Sequence, residues 1–154
     1  MRIALGSDHN GVDLKQSIAD LLEELGHEYQ DLGCYDTNPV DYPDIAKEVA
    51  LAVGEGLFDQ GVLICGTGIG MSIAANKISG VRAALCHDLL TAQRAREHNN
   101  SNILCMGGDV VEGVLALAIV TAYLEGQFEG GRHARRVGLV AGQAARRQRM
   151  TETK

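Results

Sequence analysis

Short apolar runs alternate with helical patterns along the whole chain, and this alternation constrains the fold more than any other feature. Five runs have the length and composition of strands, and they are residues 3–6, 28–32, 61–65, 81–86 and 102–106. The remaining stretches carry apolar residues at helical spacing, and they are 12–25, 42–57, 71–78, 89–97, 110–124 and 132–150. Strict alternation of this kind is typical of an open parallel sheet with helices on both faces. We therefore expect a Rossmann-like three-layer α/β/α fold with a five-stranded parallel sheet.

The chain has 154 residues and shows no linker, internal repeat or low-complexity segment. This length suits one domain, so residues 1–154 are expected to fold together. Residues 144–154 are expected to form a flexible, basic end.

Charge and hydropathy exclude several classes of function. The formal net charge is −6, which argues against a nucleic-acid partner because such a protein needs a basic face. No apolar stretch approaches the ~18 residues of a membrane span, so no membrane partner is expected. Residues 1–8 resemble a strand rather than a signal peptide, which favours a cytoplasmic protein.

The positive charge is concentrated at the end of the chain. Residues 132–154 hold seven lysines and arginines and one acid. Arg132 and Arg136 are four residues apart, so a helix would place both guanidinium groups on one face, where they could clamp a phosphate. The alternative is a solvated basic helix or one paired with the acidic body.

Loops rich in small and polar residues follow the first, third and last strand candidates, at 7–11, 65–70 and 107–109. In a parallel sheet, ligands bind at the carboxyl ends of the strands, so these loops should converge. Gly66, Gly68 and Gly70 would let backbone N–H groups approach a ligand closely. Their spacing matches neither a dinucleotide fingerprint nor a P-loop, which leaves a phosphate cradle and a plain strand-to-helix turn both open.

Cys65 and Thr67 make the glycine loop more specific. A thiolate at such a loop could act as a base or a nucleophile, and the threonine hydroxyl could stabilise a developing oxyanion. The alternative is a buried cysteine that ends a strand. The four cysteines include no C-x-x-C pair, so neither a zinc site nor any other metal site is expected. Cys86 and Cys105 are expected to pack as small hydrophobic residues.

Two further stretches carry histidines beside polar residues. Asp8 and His9 end the first strand candidate and would face the same cleft, unless Asp8 or Asn10 only caps the next helix. His98 and Asn99 begin a polar stretch before the last strand. His98 could be a general acid or base there, while the asparagines could simply form a turn.

Taken together, these stretches resemble the type B ribose-5-phosphate isomerases, within the sugar-phosphate isomerase family that includes the galactose-6-phosphate isomerase subunits. The resemblance rests on GSDHNG, DYPDIA, CGTGIGMSIAANKISGVRAAL, REHNNSNIL and EGGRHARRV, which occur in this order between residues 6 and 137. It implies a homodimer, with tetramers also open, whose active sites are shared and whose C-terminal helix reaches toward the partner subunit. It also implies aldose–ketose isomerisation of a sugar phosphate, most of all ribose 5-phosphate, without a cofactor or a metal.

The resemblance also implies roles for individual residues. His98 would help to open the sugar ring, Cys65 would move the proton through an enediolate, and Thr67 would steady the oxygen charge. The residues implied in substrate binding are Asp8, His9, Tyr42, Gly66, Gly68, Gly70, Asn99, Arg132 and Arg136. Of these, His9, Arg132 and Arg136 would hold the phosphate.

One position departs from the family pattern. After the last strand the resemblance leads us to expect an arginine that contacts the phosphate, and Asp109 stands there instead. A carboxylate near a phosphate dianion is repulsive. Asp109 therefore points away, or the other basic residues hold the phosphate alone, or the preferred sugar differs. Allose 6-, galactose 6- and tetrose 4-phosphates stay open, as does a phosphosugar-binding module without catalysis.

Overall fold

The computed structural model describes the backbone of residues 1–152 and the side chains of residues 1–142. Its strands are β1 (Arg2–Ser7), β2 (Glu28–Asp31), β3 (Gln60–Cys65), β4 (Ala83–Leu85) and β5 (Ile103–Gly107). Its helices are α1 (Val12–Glu24), α2 (Tyr42–Gly54), α3 (Ile69–Ala75), α4 (Leu89–Asn99), α5 (Gly113–Glu125) and α6 (Gly131–Glu152). All strand pairs are parallel, in the order β2-β1-β3-β5-β4. The three-layer α/β/α prediction is confirmed.

The sheet has an apolar core on each face. Helices α1, α4 and α5 cover one face over a cluster that includes Ile3, Ile64 and Tyr123. Helices α2 and α3 cover the other face over a cluster that includes Leu63 and Met71. The central strands are buried on both sides, which explains why they read as continuous apolar runs. Cys86 and Cys105 lie in these clusters, as predicted, and all four cysteines are free thiols.

Among the boundaries that differ from the predicted ones, three have clear local causes. Strand β4 is shorter than 81–86 because the N–H groups of Arg82 and Ala83 bond to the side chains of Asn102 and Asn76. Helix α5 begins at Gly113 rather than 110, because residues 110 and 111 donate to the Gly107 carbonyl in a turn. Helix α2 ends before 57, where the chain turns through a glycine with φ of 77°.

Helix α6 packs against α4 and exposes apolar side chains in the part whose side chains are described, up to residue 142. Leu139 and Val140 are each about 60% exposed. The predicted reach of this helix toward a partner subunit stays a prediction. The side chains of residues 144–154 lie outside the described part of the structure, so the predicted flexibility of this end stays a prediction. Within the described chain, no helix combines the length and apolar character needed to cross a membrane.

Tyr123 anchors the turn that precedes β5. Its hydroxyl donates to the Ser101 carbonyl at 2.8 Å and lies 3.1 Å from Oε1 of Gln60. The side chain is fully buried, and burial raises the pKa of Tyr123 well above its ordinary value, so the hydroxyl stays protonated at neutral pH. The turn that follows His98 and Asn99 is therefore fixed from within the core.

Replacing Tyr123 with phenylalanine is expected to destabilise the fold by about 1–3 kcal/mol, because the Ser101 carbonyl and Gln60 lose a buried partner. Urea unfolding followed by circular dichroism measures this change. Tyr29→Phe is the control, because the Tyr29 hydroxyl bonds to Glu23 at the exposed surface and should contribute little. Equal stability of the two variants would show that the buried hydroxyl has no special role.

Candidate active site

Three loops meet at the carboxyl ends of β1, β3 and β5, which are neighbours in the sheet. The Asp8 N–H donates to the Ile64 carbonyl at 3.0 Å, and the Gly108 N–H donates to the Cys65 carbonyl at 2.8 Å. These bonds join the first loop to β3 and the last loop to the glycine loop. The convergence predicted from the topology is therefore present, at the point where the chain switches between the two halves of the sheet.

Cys65 is the last residue of β3, and its side chain is largely buried. The Gly68 N–H donates to the Cys65 Sγ at 3.1 Å. Gly68 adopts φ of 76°, and a Cβ atom there would lie 2.7 Å from the carbonyl carbon of Met106. Only glycine fits at this position, and it turns its N–H toward the sulfur. A donor in this position stabilises negative charge on sulfur, as a base or a nucleophile requires.

The remaining residues of the glycine loop lie at the surface of the cleft. Thr67 is exposed, and its Oγ1 accepts a weak hydrogen bond from the Ile69 N–H at 3.4 Å. Gly70 contacts Tyr42, since a Cβ atom on Gly70 would lie 2.6 Å from Cε2 of the tyrosine ring. Tyr42 therefore packs on the loop from the start of α2. Helix α3 begins at Ile69, two residues before the predicted start, and it has only 7 residues.

Asp8 and His9 follow the end of β1, the strand beside the one that carries Cys65. The Asp8 carboxylate is buried and accepts from the Asn10 N–H at 2.9 Å. No side chain caps α1, whose N-cap is Gly11, so the capping interpretation of Asp8 and Asn10 is wrong. The Val40 N–H donates to Nδ1 of His9 at 3.3 Å. A neutral His9 then carries its proton on Nε2, where it can donate to a ligand.

Asp109 turns toward the glycine loop and not away from it. Its N–H donates to the Gly66 carbonyl at 3.0 Å, and its Oδ2 is 2.8 Å from where a Cβ atom of Gly66 would be. The Asn10 amide nitrogen is 3.8 Å from the same point. The carboxylate therefore makes the region beside Gly66 unfavourable for a phosphate dianion.

The predicted site residues fall into two separate groups. We call the first the strand-end group, which comprises Asp8, His9, Tyr42, Cys65, Gly66, Thr67, Gly68 and Gly70. We call the second the helix-end group, which comprises His98, Asn99, Arg132 and Arg136. His98 and Asn99 are the last residues of α4, which starts at the carboxyl end of β4 and runs back to the amino end of β5. Cys65 lies at the carboxyl end of β3, on the opposite side of the sheet along the strand direction. One chain therefore does not bring His98 to Cys65.

The helix-end group borders an open groove of about 980 Å³ along the outer edge of β4. His98, Asn99 and Arg136 line this groove, together with the apolar Val137 and Val140 of α6. No residue of the strand-end group lines it. Arg132 lies at the start of α6 and donates from Nε to Nε2 of the neighbouring His133 at 3.3 Å.

His98, Glu129 and His133 place three potential metal-ligand atoms within 4.8 Å of one another. The imidazole rings of the two histidines are stacked and nearly parallel, at 9°, so their Nε2 lone pairs do not converge on one point. Arg94 also directs an N–H group at Nε2 of His98, at 3.0 Å. The cluster therefore suits a hydrogen-bonded network better than a cation site.

Three residues that lie beside the two groups were not predicted from the sequence: His87, Glu129 and His133. His87 follows β4 and donates from Nε2 to the Thr67 carbonyl at 3.2 Å. The signal that identified Asp8 and His9, a polar pair at a strand end, also occurs at His87 and Asp88. Glu129 and His133 carried no such signal, because the connection before α6 and the packing of α6 on α4 bring them to His98 from a distant part of the sequence.

The comparisons with known proteins agree with this geometry. The model of the Ribose/Galactose Isomerase family matches residues 3–140. Ribose-5-phosphate isomerase B of Escherichia coli is 48% identical over 95% of this chain and 98% of its own length. The structure of Clostridium thermocellum ribose-5-phosphate isomerase B has a TM-score of 0.93 and 49% identity, covering 95% of this chain and 99% of that one.

A second solved structure was obtained with a sugar phosphate. Ribose-5-phosphate isomerase B of Mycoplasma genitalium, with bound ribulose-5-phosphate, has a TM-score of 0.88 and 42% identity. The match covers 92% of this chain and 95% of that one. Sequence, fold and the strand-end loops thus lead to the same result: this chain belongs to the ribose/galactose isomerase family.

Proposed function

We propose that this protein interconverts ribose 5-phosphate and ribulose 5-phosphate, as an aldose–ketose isomerase that uses Cys65 as its proton carrier. The observation that carries the proposal is the Gly68 N–H directed at the Cys65 sulfur, at the carboxyl ends of β1, β3 and β5. A donor in this position would stabilise the thiolate that a proton carrier must form during the reaction.

The proposed reaction starts with ring opening, assisted by His98. The Cys65 thiolate then takes the proton from C2 of the open aldose, and the electron pair of that bond forms the C1–C2 double bond of an enediolate. Negative charge develops on O1, where the Thr67 hydroxyl and the loop amides stabilise it. The thiol returns the proton to C1, and the proton of O2 is transferred to O1 as the C2 carbonyl forms, which leaves the C1 hydroxyl of the ketose and the Cys65 thiolate.

The phosphate is proposed to lie away from the glycine loop, held by His9, Arg132 and Arg136. Asp109 supports this placement, since its carboxylate borders Gly66 and would repel a phosphate there. His9 has Nε2 available as a donor because Nδ1 accepts from Val40. Arg132 and Arg136 supply the charge-assisted hydrogen bonds that a phosphate dianion favours. Asp8 and Asn99 are proposed to bind sugar hydroxyls, and Tyr42 to line the pocket.

We propose further that the protein is a homodimer, with each active site formed by the strand-end group of one subunit and the helix-end group of the other. The strand-end group lies at the carboxyl ends of the strands and the helix-end group near their amino ends, so a second copy of the chain is needed to bring the two groups together. The outer edge of β4 is unpaired within the described chain, and the groove beside it offers apolar α6 side chains for burial. The four free thiols are consistent with a cytoplasmic location, which we retain as part of the proposal.

The sugar itself is the part of the proposal that Asp109 most directly affects. A carboxylate beside the reacting end can accept hydrogen bonds from sugar hydroxyls, and this favours another aldose phosphate as a second candidate. The family description itself includes both ribose and galactose isomerases. Allose 6-, galactose 6- and tetrose 4-phosphates are therefore tested beside ribose 5-phosphate.

The test is proton NMR of each aldose phosphate in deuterated water with purified protein. We expect ribose 5-phosphate to give ribulose 5-phosphate, with solvent deuterium at C1 because a thiol proton exchanges with water. The highest kcat/KM in the panel identifies the preferred sugar. Line broadening without ketose formation across the panel would instead indicate a binding module without catalysis and would overturn the proposal.

A further inference from the structure

His98 and His133 form a stacked pair of imidazole rings between α4 and α6. Their centroids are 4.1 Å apart and the rings are inclined by 9°. His133 is buried, whereas the His98 side chain keeps about 30% of its surface exposed toward the groove. The buried ring thus serves as a platform under the ring that faces the proposed substrate.

Glu129 contacts both rings from the connection between α5 and α6. Its Oε2 is 3.7 Å from Nε2 of His98 and 3.4 Å from Nε2 of His133. The Glu129 N–H donates to the Glu97 carbonyl at 3.0 Å. This bond ties the backbone of Glu129 to the helix that carries His98, so the Glu129 side chain starts from a position fixed relative to that helix.

The other charged groups around the pair are mainly positive. Arg94 on α4 donates to Nε2 of His98 at 3.0 Å and to Glu97 at 2.9 Å, and its Nη1 is 4.0 Å from Glu129. Arg132 on α6 donates to Nε2 of His133. Arg94 and Arg132 can donate only to an unprotonated Nε2, whereas Glu129 can accept only from a protonated Nε2, so the arginines and the carboxylate compete for the two rings.

A second positive charge on this pair would be opposed by its surroundings. Burial, His98, Arg132 and Arg136 lower the pKa of His133, and Glu129 is the group that raises it. Glu97 already pairs with Arg94 on α4, and Glu129 is the carboxylate that lies close to both imidazole rings. Without Glu129, the rings would face the positive charge of Arg132 and Arg136 on α6 with no carboxylate beside them.

We infer that Glu129 is a positioning residue for His98: its carboxylate holds the stacked His98–His133 pair in place against Arg94 and Arg132, so that His98 presents a fixed ring to the sugar. The inference rests on the proposed function, because the role of His98 in ring opening belongs to that proposal. Glu129 itself contacts no residue of the strand-end group and needs no contact with substrate.

The test uses Glu129→Gln in the full-length protein, with Glu125→Gln as the matched control, since Glu125 is exposed at the end of α5. We expect the histidine NMR titration to show a lower pKa for His133 in Glu129→Gln and no change in Glu125→Gln. The sign follows from the lost carboxylate, which favours the charged imidazolium in the wild-type protein.

Kinetics of ribose 5-phosphate separate positioning from substrate binding. We expect kcat of Glu129→Gln to fall about tenfold, a part of what a general acid–base group contributes, with KM nearly unchanged. The pH profile of kcat should shift with the titration. Glu129→Asp keeps the charge on a shorter side chain, so its His133 titration should return toward the wild-type curve while kcat recovers only in part.

Each outcome is decisive for one of the two proposals. An unchanged His133 titration in Glu129→Gln overturns the inference, whether or not the protein turns over any sugar. A changed titration with unchanged kcat overturns the positioning role. Absence of turnover by the wild-type protein on all sugar phosphates contradicts the proposed function instead, and the titration still reports on Glu129.

Discussion

Cys65→Ala is expected to lower kcat for ribose 5-phosphate by about 10²- to 10⁴-fold, the range over which a positioned general acid–base group contributes. The proton transfer between C2 and C1 needs a group that can take and return a proton at the sugar carbon. The Gly68 N–H faces the sulfur of Cys65, and an alanine methyl group cannot replace that function. Fixed-time assays of ribulose 5-phosphate formation measure the decrease in kcat.

The fold should survive this substitution. Removing one buried sulfur leaves a small cavity, which costs about 1 kcal/mol, and the Gly68 N–H loses its acceptor, but Gly68 still packs on Met106 and Gly70 on Tyr42. Cys34→Ala is the control, because Cys34 lies beyond β2 and its sulfur bonds only to the Asp36 carbonyl among the described contacts. Wild-type rates in Cys65→Ala on every sugar phosphate would show that the proton carrier is another group.

Much of this architecture could be predicted from the sequence because its signals are local. Apolar runs such as 61–65 are buried on both sides of the sheet, so their composition alone indicates central parallel strands. The convergence of Asp8, Cys65 and Asp109 follows from strand order, since loops at carboxyl ends of adjacent parallel strands must meet. The sequence therefore predicts those site residues that directly follow the ends of strands.

The features that could not be predicted depend on side chains from distant segments. The short β4 results from Asn76 and Asn102 binding its backbone, and periodicity does not report such bonds. Glu129 reaches His98 because the connection between α5 and α6 bonds to the end of α4. The separation of His98 from Cys65 follows from the direction in which α4 crosses the sheet, and the spacing of the motifs along the sequence does not report that direction.

Because His98 and Cys65 lie far apart in one chain, two inactive variants are expected to restore each other's activity in a mixed dimer. If each site takes Cys65 from one subunit and His98 from the other, Cys65→Ala and His98→Ala homodimers should both be nearly inactive. Mixing the two variants and allowing subunit exchange should restore activity to about one quarter of wild type. Random exchange makes about half of the dimers mixed, and each mixed dimer has one of its two sites intact.

A second mixture of variants serves as the control for this restoration of activity. Thr67 belongs to the strand-end group with Cys65, so a mixture of Cys65→Ala and Thr67→Ala subunits places each defect in a different site and leaves no site intact. Restoration by His98→Ala but not by Thr67→Ala would require a site built from both groups across the dimer. Failure of both mixtures, with exchange verified by mass spectrometry of differently labelled subunits, would mean that His98 acts in the site of its own chain, against the direction of α4.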